Sequence, residues 1–264
     1  MNSMFDKCYN LKEIKGFNTF KTNNVTIMKK LFYSCLELEY LDLSNFNTNN
    51  VTDMAYMFSK CYKLKQIKGI INFNTRNVIN MKSMFMENAE MKVLDLSNFD
   101  TTNVKNMSFM FYKCYNLKEI KGINNFKTNN VTKMNSMFQE CMVLEYLDLS
   151  NFNTINVVNM EFIFDNCVSL KNIKGINNFK ISNKITLNFI STDQLIKCAI
   201  EGEKTDNFGK IQEKLYLKYP QLKNIPIYFL TEGKLIDQSA SLRENNLKDG
   251  CAILINKGIY LNER

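Results

Sequence analysis

Leu38-Glu39-Tyr40-Leu41-Asp42-Leu43-Ser44-Asn45-Phe46-Asn47-Thr48-Asn49-Asn50-Val51-Thr52-Asp53-Met54-Ala55-Tyr56-Met57-Phe58-Ser59-Lys60-Cys61 is close to one full period of a pattern that recurs along the chain. In its first part, Leu41 and Leu43 alternate with Tyr40 and Asp42, the period-two signature of a strand with one buried face. In its last part, Val51, Met54, Phe58 and Cys61 follow helical spacing, so each period is expected to run strand, turn, short helix. Phenylalanines mark the register at Phe5, Phe32, Phe58, Phe85, Phe111, Phe138 and Phe164, with spacings alternating between 27 and 26 residues. A fixed period of this length is the sign of a stacked repeat array. Seven coils are expected, and the alternation makes the true unit a 53-residue pair.

Columns of like residues follow from this register. Cys8, Cys35, Cys61, Asn88, Cys114, Cys141 and Cys167 form one; Leu11, Leu38, Leu64, Met91, Leu117, Leu144 and Leu170 form another. An Asn precedes the helix-like segment in every coil, at Asn24, Asn50, Asn77, Asn103, Asn130, Asn156 and Asn183. Its carboxamide is suited either to cap a helix start or to link neighbouring coils as a ladder. The outward strand positions alternate in charge as Lys15, Asp42, Lys68, Asp95, Lys121, Asp148 and Lys174. Stacked strands lie about 4.8 Å apart, so these residues are expected to form a ladder in which each Lys has an Asp neighbour. With Tyr40 and Tyr146 in the adjoining column, they are the candidate partner-binding residues of this part of the chain.

The pattern Met-Phe-x-x-Cys-x-x-Leu-x-x-Leu-Asp-Leu-Ser-Asn-Phe-Asn-Thr-x-Asn-Val-Thr-x-Met, best seen over residues 57–81 and 137–160, resembles the repeat of BspA-like leucine-rich surface proteins. The resemblance implies a leucine-rich-repeat-type solenoid over residues 1–183, and a role in adhesion or in binding host or partner proteins.

The columns stop after Phe179. Residues 185–190 and 195–200 read as a hairpin. Phe208, Ile211, Leu215 and Tyr219 mark one face of a helix that Pro220 closes, and Ile227–Leu230 and Cys251–Ile255 read as further strands. This order, with Gly233-Lys234-Leu235-Ile236-Asp237 and Leu242-Arg243-Glu244-Asn245-Asn246-Leu247, is similar to ubiquitin-like domains. The resemblance implies a β-grasp domain over residues 184–264 and therefore an α+β chain overall. It places that family's partner-binding patch near Leu230 and Leu254, without a full apolar triplet. The ending Lys257-Gly258-Ile259-Tyr260-Leu261-Asn262-Glu263-Arg264 has no Gly-Gly, so conjugation to other proteins is not expected. This second domain is also expected to cover the open end of the array.

Composition narrows the function. The 264 residues contain no His, which removes the commonest general base and zinc nitrogen ligand. No enzyme activity and no cofactor or metal are expected; the eight Cys include no Cys-x-x-Cys pair and read as structural free thiols. Lysines recur evenly and are matched by acids, against the clustered basic face of a nucleic-acid binder. No apolar run is long enough to span a bilayer, and Met1-Asn2-Ser3-Met4-Phe5 lacks the form of a signal peptide. It matches Met134-Asn135-Ser136-Met137-Phe138, so the chain starts inside a repeat; either a longer product or a frayed end is expected. The reading is thus a cytoplasmic, non-enzymatic adaptor that binds proteins, ubiquitin-pathway components among the candidates. A surface adhesin is the alternative if a signal segment precedes this sequence. Oligomeric state is left open.

Overall fold

The computed structural model describes residues 1–179 and 184–258, so Asn183 and the tail from Ile259 onward lie outside the described residues. The chain is mixed α+β and divides into two compact units, Met1–Ser182 and Asn183–Arg264. The expected boundary between 183 and 184 differs by one residue.

In the first unit, short parallel strands recur at the expected place: β1 (Tyr40–Asp42), β2 (Gln66–Lys68), β3 (Val93–Asp95), β4 (Glu119–Lys121), β5 (Tyr146–Asp148) and β6 (Asn172–Lys174). Their middle residues point inward, Leu41 and Leu147 at 1% exposure, because alternation puts one apolar side chain between two outward ones. Pairing is discontinuous, which corrects the continuous ladder expected from the sequence. Among the described residues β1 pairs with β2, β3 with β4 and β5 with β6, each parallel, and each couple stands as its own two-stranded sheet. The repeat carrying Lys15 forms no strand.

The two members of a couple also leave their strands differently. After β2, β4 and β6 the chain turns through Gly69, Gly122 and Gly175, all at positive φ, into 3-10 turns at Ile70–Asn72, Ile123–Asn125 and Ile176–Asn178. A Cβ on Gly69 would stand 2.5 Å from the backbone of Ser44, so only glycine permits this approach to the preceding repeat. Repeats carrying Asp have no such turn and continue through Leu43-Ser44-Asn45-Phe46 or its equivalent. Two repeat types therefore alternate, with a backbone reason for the 53-residue unit.

The expected short helix of each repeat is absent among the described residues. The segment from Met54 to Cys61 is a string of tight turns: Met57 N–H and Ser59 N–H bond Met54 O and Tyr56 O, both at 3.2 Å. The intervening amides of Met54, Tyr56, Phe58 and Lys60 bond carbonyls of the next repeat, Asn80 O to Met86 O, at 2.7–3.0 Å. Turning every second N–H outward requires left-handed residues, and Tyr56 and Lys60 have φ of 59° and 62°. The apolar spacing matched a helix because three-residue turns also bring every third or fourth side chain inward. With no helix to cap, the Asn column takes its other role. Asn50, Asn77, Asn103, Asn130 and Asn156 each donate Nδ2–H to a carbonyl of the preceding repeat at 2.7–2.8 Å.

Inside this unit the marker phenylalanines stack on one another. Centroids from Phe5 through Phe164 lie 5.5–5.8 Å apart with interplanar angles of 2–12°. These separations fall in the favourable range for offset rings.

The second unit has a five-stranded sheet in the order β10-β9-β11-β7-β8, formed by β7 (Lys184–Ser191), β8 (Lys197–Glu203), β9 (Ile227–Thr231), β10 (Lys234–Leu235) and β11 (Ala252–Lys257). β7 and β8 make the expected hairpin, while β11 runs parallel to β7. The helix α1 (Phe208–Lys218) starts at Asn207, whose side chain accepts from Lys210 N–H, and ends before Pro220. Phe208, Ile211 and Leu215 share a buried core with Phe189, Phe229, Ile253 and Ile255 of the sheet.

Candidate functional site

Two exposed faces present the residues singled out in the sequence. On the first unit, Tyr40 and Tyr146 stand 44% and 50% exposed at the starts of β1 and β5. Two residues on, Asp42 accepts from Lys68 Nζ at 2.8 Å and Asp148 from Lys174 Nζ at 3.1 Å. The hydrogen bond from Lys68, aided by Ser44, lowers the Asp42 carboxyl to a pKa of about 2. Asp95 and Lys121 occupy opposed positions in β3 and β4, and bonds from Ser97 followed by the Lys121 charge lower the Asp95 pKa. Lys15 instead reaches Glu13 at 3.0 Å. The charge ladder is therefore two separate ion-paired rungs, with Asp95 and Lys121 opposed between them but held in no ion pair among the described residues.

The sequence reading overlooked a second column, seven residues after each marker Phe: Lys12, Glu39, Lys65, Lys92, Lys118, Glu145 and Lys171. Glu39 pairs with Lys65 at 2.7 Å and Glu145 with Lys171 at 3.0 Å. The middle couple has lysine on both sides. The break is carried by the same period as the charge ladder, in the column two residues before Ile14, Leu41 and their equivalents.

The cysteine column faces inward. Thiols of Cys35, Cys61, Cys114, Cys141 and Cys167 donate to the main-chain carbonyls of Phe5, Phe32, Phe85, Phe111 and Phe138, the marker Phe of the preceding repeat, at 2.9–3.2 Å. Burial, first among the causes, pushes the thiol pKa of Cys35 and of Cys114 up to about 12. All eight cysteines are free. In the fourth repeat Asn88 takes the place of Cys; its Oδ1 accepts from Cys61 N–H at 3.2 Å, while its buried Nδ2 has no partner.

On the second unit, Leu230 and Leu254 are directly opposed across β9 and β11. Leu235 faces Leu230 from β10, and Ile190 faces Leu254 from β7. Residues in register share a sheet face, so Leu235, Leu230, Leu254 and Ile190 form one apolar row opposite the helix-covered side. The expectation that no full apolar triplet stands there is corrected: Leu235 joins from the next strand of the hairpin and Ile190 from β7, distant in sequence, and strand pairing aligns them.

These features define a repeat protein of α+β class with a smaller α+β unit after it. The chain belongs to the family described as Mycoplasma protein of unknown function, DUF285, which matches residues 1–93 and 80–195. No curated protein matches the chain. Among solved structures, a designed protein based on ubiquitin is similar at 11% identity and a TM-score of 0.27, over 31% of this chain and 98% of its own.

Proposed function

We propose that the chain is a non-enzymatic protein-interaction module. Residues 1–183 are read as a leucine-rich-repeat-type solenoid whose outward strand side chains receive a protein partner. Residues 184–264 are read as a ubiquitin-like β-grasp domain serving as adaptor. The observation that carries the reading is the pair of exposed tyrosines, Tyr40 and Tyr146, held beside fixed ion-pair rungs on hydrogen-bonded strands. Rigid exposed aromatics beside oriented charges supply contact area at low ordering cost. The row Leu235, Leu230, Leu254 and Ile190 supports the adaptor role, being an apolar strip on an uncovered sheet face. Burial pushes the thiol pKa of Cys35 and of Cys114 up to about 12, away from the nucleophilic thiolate.

The test is capture by the full chain against two variants, Tyr40→Ala/Tyr146→Ala and Leu230→Asp, followed by calorimetry with each protein retained. Loss of the tyrosines is expected to weaken a solenoid partner about tenfold or more. The reading fails if every retained protein binds both variants as tightly as the parent chain.

A further inference from the structure

The three strand couples are built alike except in the middle. The first reads Leu38-Glu39-Tyr40-Leu41 against Leu64-Lys65-Gln66-Ile67, and the third Leu144-Glu145-Tyr146-Leu147 against Leu170-Lys171-Asn172-Ile173. The second reads Met91-Lys92-Val93-Leu94 against Leu117-Lys118-Glu119-Ile120. Three outward positions change together there: Lys92 replaces a Glu, Val93 a Tyr, and Glu119 a neutral Gln or Asn.

The change at Lys92 has a physical consequence. Lys118 N–H bonds Lys92 O at 2.8 Å, so the two lysines sit on adjoining backbones where the sister couples hold a Glu–Lys ion pair. Like charges so placed repel. Neither lysine has an ion pair among the described residues, and Glu119, opposite Val93, pairs with neither. The neighbouring Lys65 is already engaged by Glu39 at 2.7 Å and by Glu90 at 3.7 Å. Open space adjoins the couple on its β2 side. A cavity of about 430 Å³ is lined by Lys65, Glu90, Lys92 and Asn116, and a second of about 450 Å³ runs along the unpaired gap between β2 and β3, with Val93 in its wall.

We propose that this middle couple is the docking point for an acidic segment of a protein partner, its carboxylates seated between Lys92 and Lys118 and an adjacent side chain resting over Val93. The site deepens the interaction-module reading and rests on it. Charge complementarity selects the occupant: two exposed ammonium groups without an ion pair, Lys92 in the wall of both cavities and Lys118 on the adjoining backbone outside their linings, are the counterpart of carboxylates. A local conflict with the rest of the repeat is also where function is to be sought, because the other couples show how it would be resolved for stability alone.

The test uses the full chain and a fluorescein-labelled poly-glutamate peptide, read by anisotropy at low and moderate salt. Lys92→Glu, which places a carboxylate opposite Lys118 as in the sister couples, is expected to weaken binding about tenfold. Lys105→Glu, elsewhere on the same unit, is expected to change it less than about twofold. Lys118→Gln provides a second variant should the first not fold, with a loss of the same sign. Equal binding by Lys92→Glu and Lys105→Glu overturns the site, as does equal binding of a poly-glutamine peptide. Equally tight binding of a single-stranded oligonucleotide also overturns it, showing general attraction of polyanions. If Lys92 has no effect while partner capture still depends on Tyr40 and Tyr146, the site fails and the wider reading stands. If Lys92 governs peptide binding but no captured protein depends on either face, the site stands and the wider reading fails.

Discussion

The two units reach a buried core by different routes. In the repeat unit, each segment contacts its neighbours in the stack, hydrogen bonds join residues about one repeat apart, and phenylalanine rings lie nearly parallel. In the second unit, Phe189, Phe208 and Phe229 come from two strands and a helix, and Phe229 meets the other two at 87° and 62°. A stack transmits order along one axis; a sheet with a helix closes a core in three dimensions. Damage should therefore spread differently in each.

The largest expected effect is the removal of one buried ring. Phe85→Ala and Phe208→Ala should each cost about 3–5 kcal/mol, both side chains being fully buried. The comparison is sharpened by the shape of the loss. Phe85 lies between Phe58 and Phe111, so its removal should split denaturant unfolding of the repeat unit into two transitions, whereas Phe208→Ala should shift one transition whole. Hydrogen exchange read along the sequence would detect the split, and uniform loss of protection across residues 1–179 would break the contrast.

Next come two glycines that share a positive φ but not an environment. Gly69→Ala should lower stability by about 2–3 kcal/mol, since left-handed strain adds to a clash with the Ser44 backbone. Gly16→Ala should cost only about 1 kcal/mol, because nothing lies within 4 Å of its added Cβ. Urea titrations of both variants check this. Equal losses would mean that the close approach between repeats contributes little.

The smallest effect concerns alkaline pH. The Cys114 thiol is raised by burial from 9.0 to about 12, so the unfolded chain ionises first as pH rises. The stabilising difference is complete below pH 9 and is lost as pH climbs toward 12. Between pH 8 and 10 the parent chain should lose about 1 kcal/mol more than Cys114→Ala, measured by denaturant unfolding at each pH.

Much of this organisation was legible in residue spacing. The marker phenylalanines, the inward Leu41 and Leu147, the outward Tyr40 and Tyr146, and the change after Phe179 follow from periodicity, because a repeated burial environment selects repeated side chains. The Asp42–Lys68 and Asp148–Lys174 pairs were legible for the same reason. The segment around Met54–Cys61 was misread because turns and helices share an inward spacing. They differ in the destination of their N–H groups, which one chain segment considered alone cannot show.

The linear order of residues thus set which side chains recur, where the pattern ends and which columns carry charge, since those are properties of spacing. Tertiary contact settled the rest. Stacking sent alternate amides to the next repeat in place of a helix, Gly69 was brought against the Ser44 backbone of its paired repeat, and strand pairing brought Leu235 and Ile190 beside Leu230 and Leu254. Each of these depends on what a neighbouring segment supplies: a carbonyl, a surface or a register.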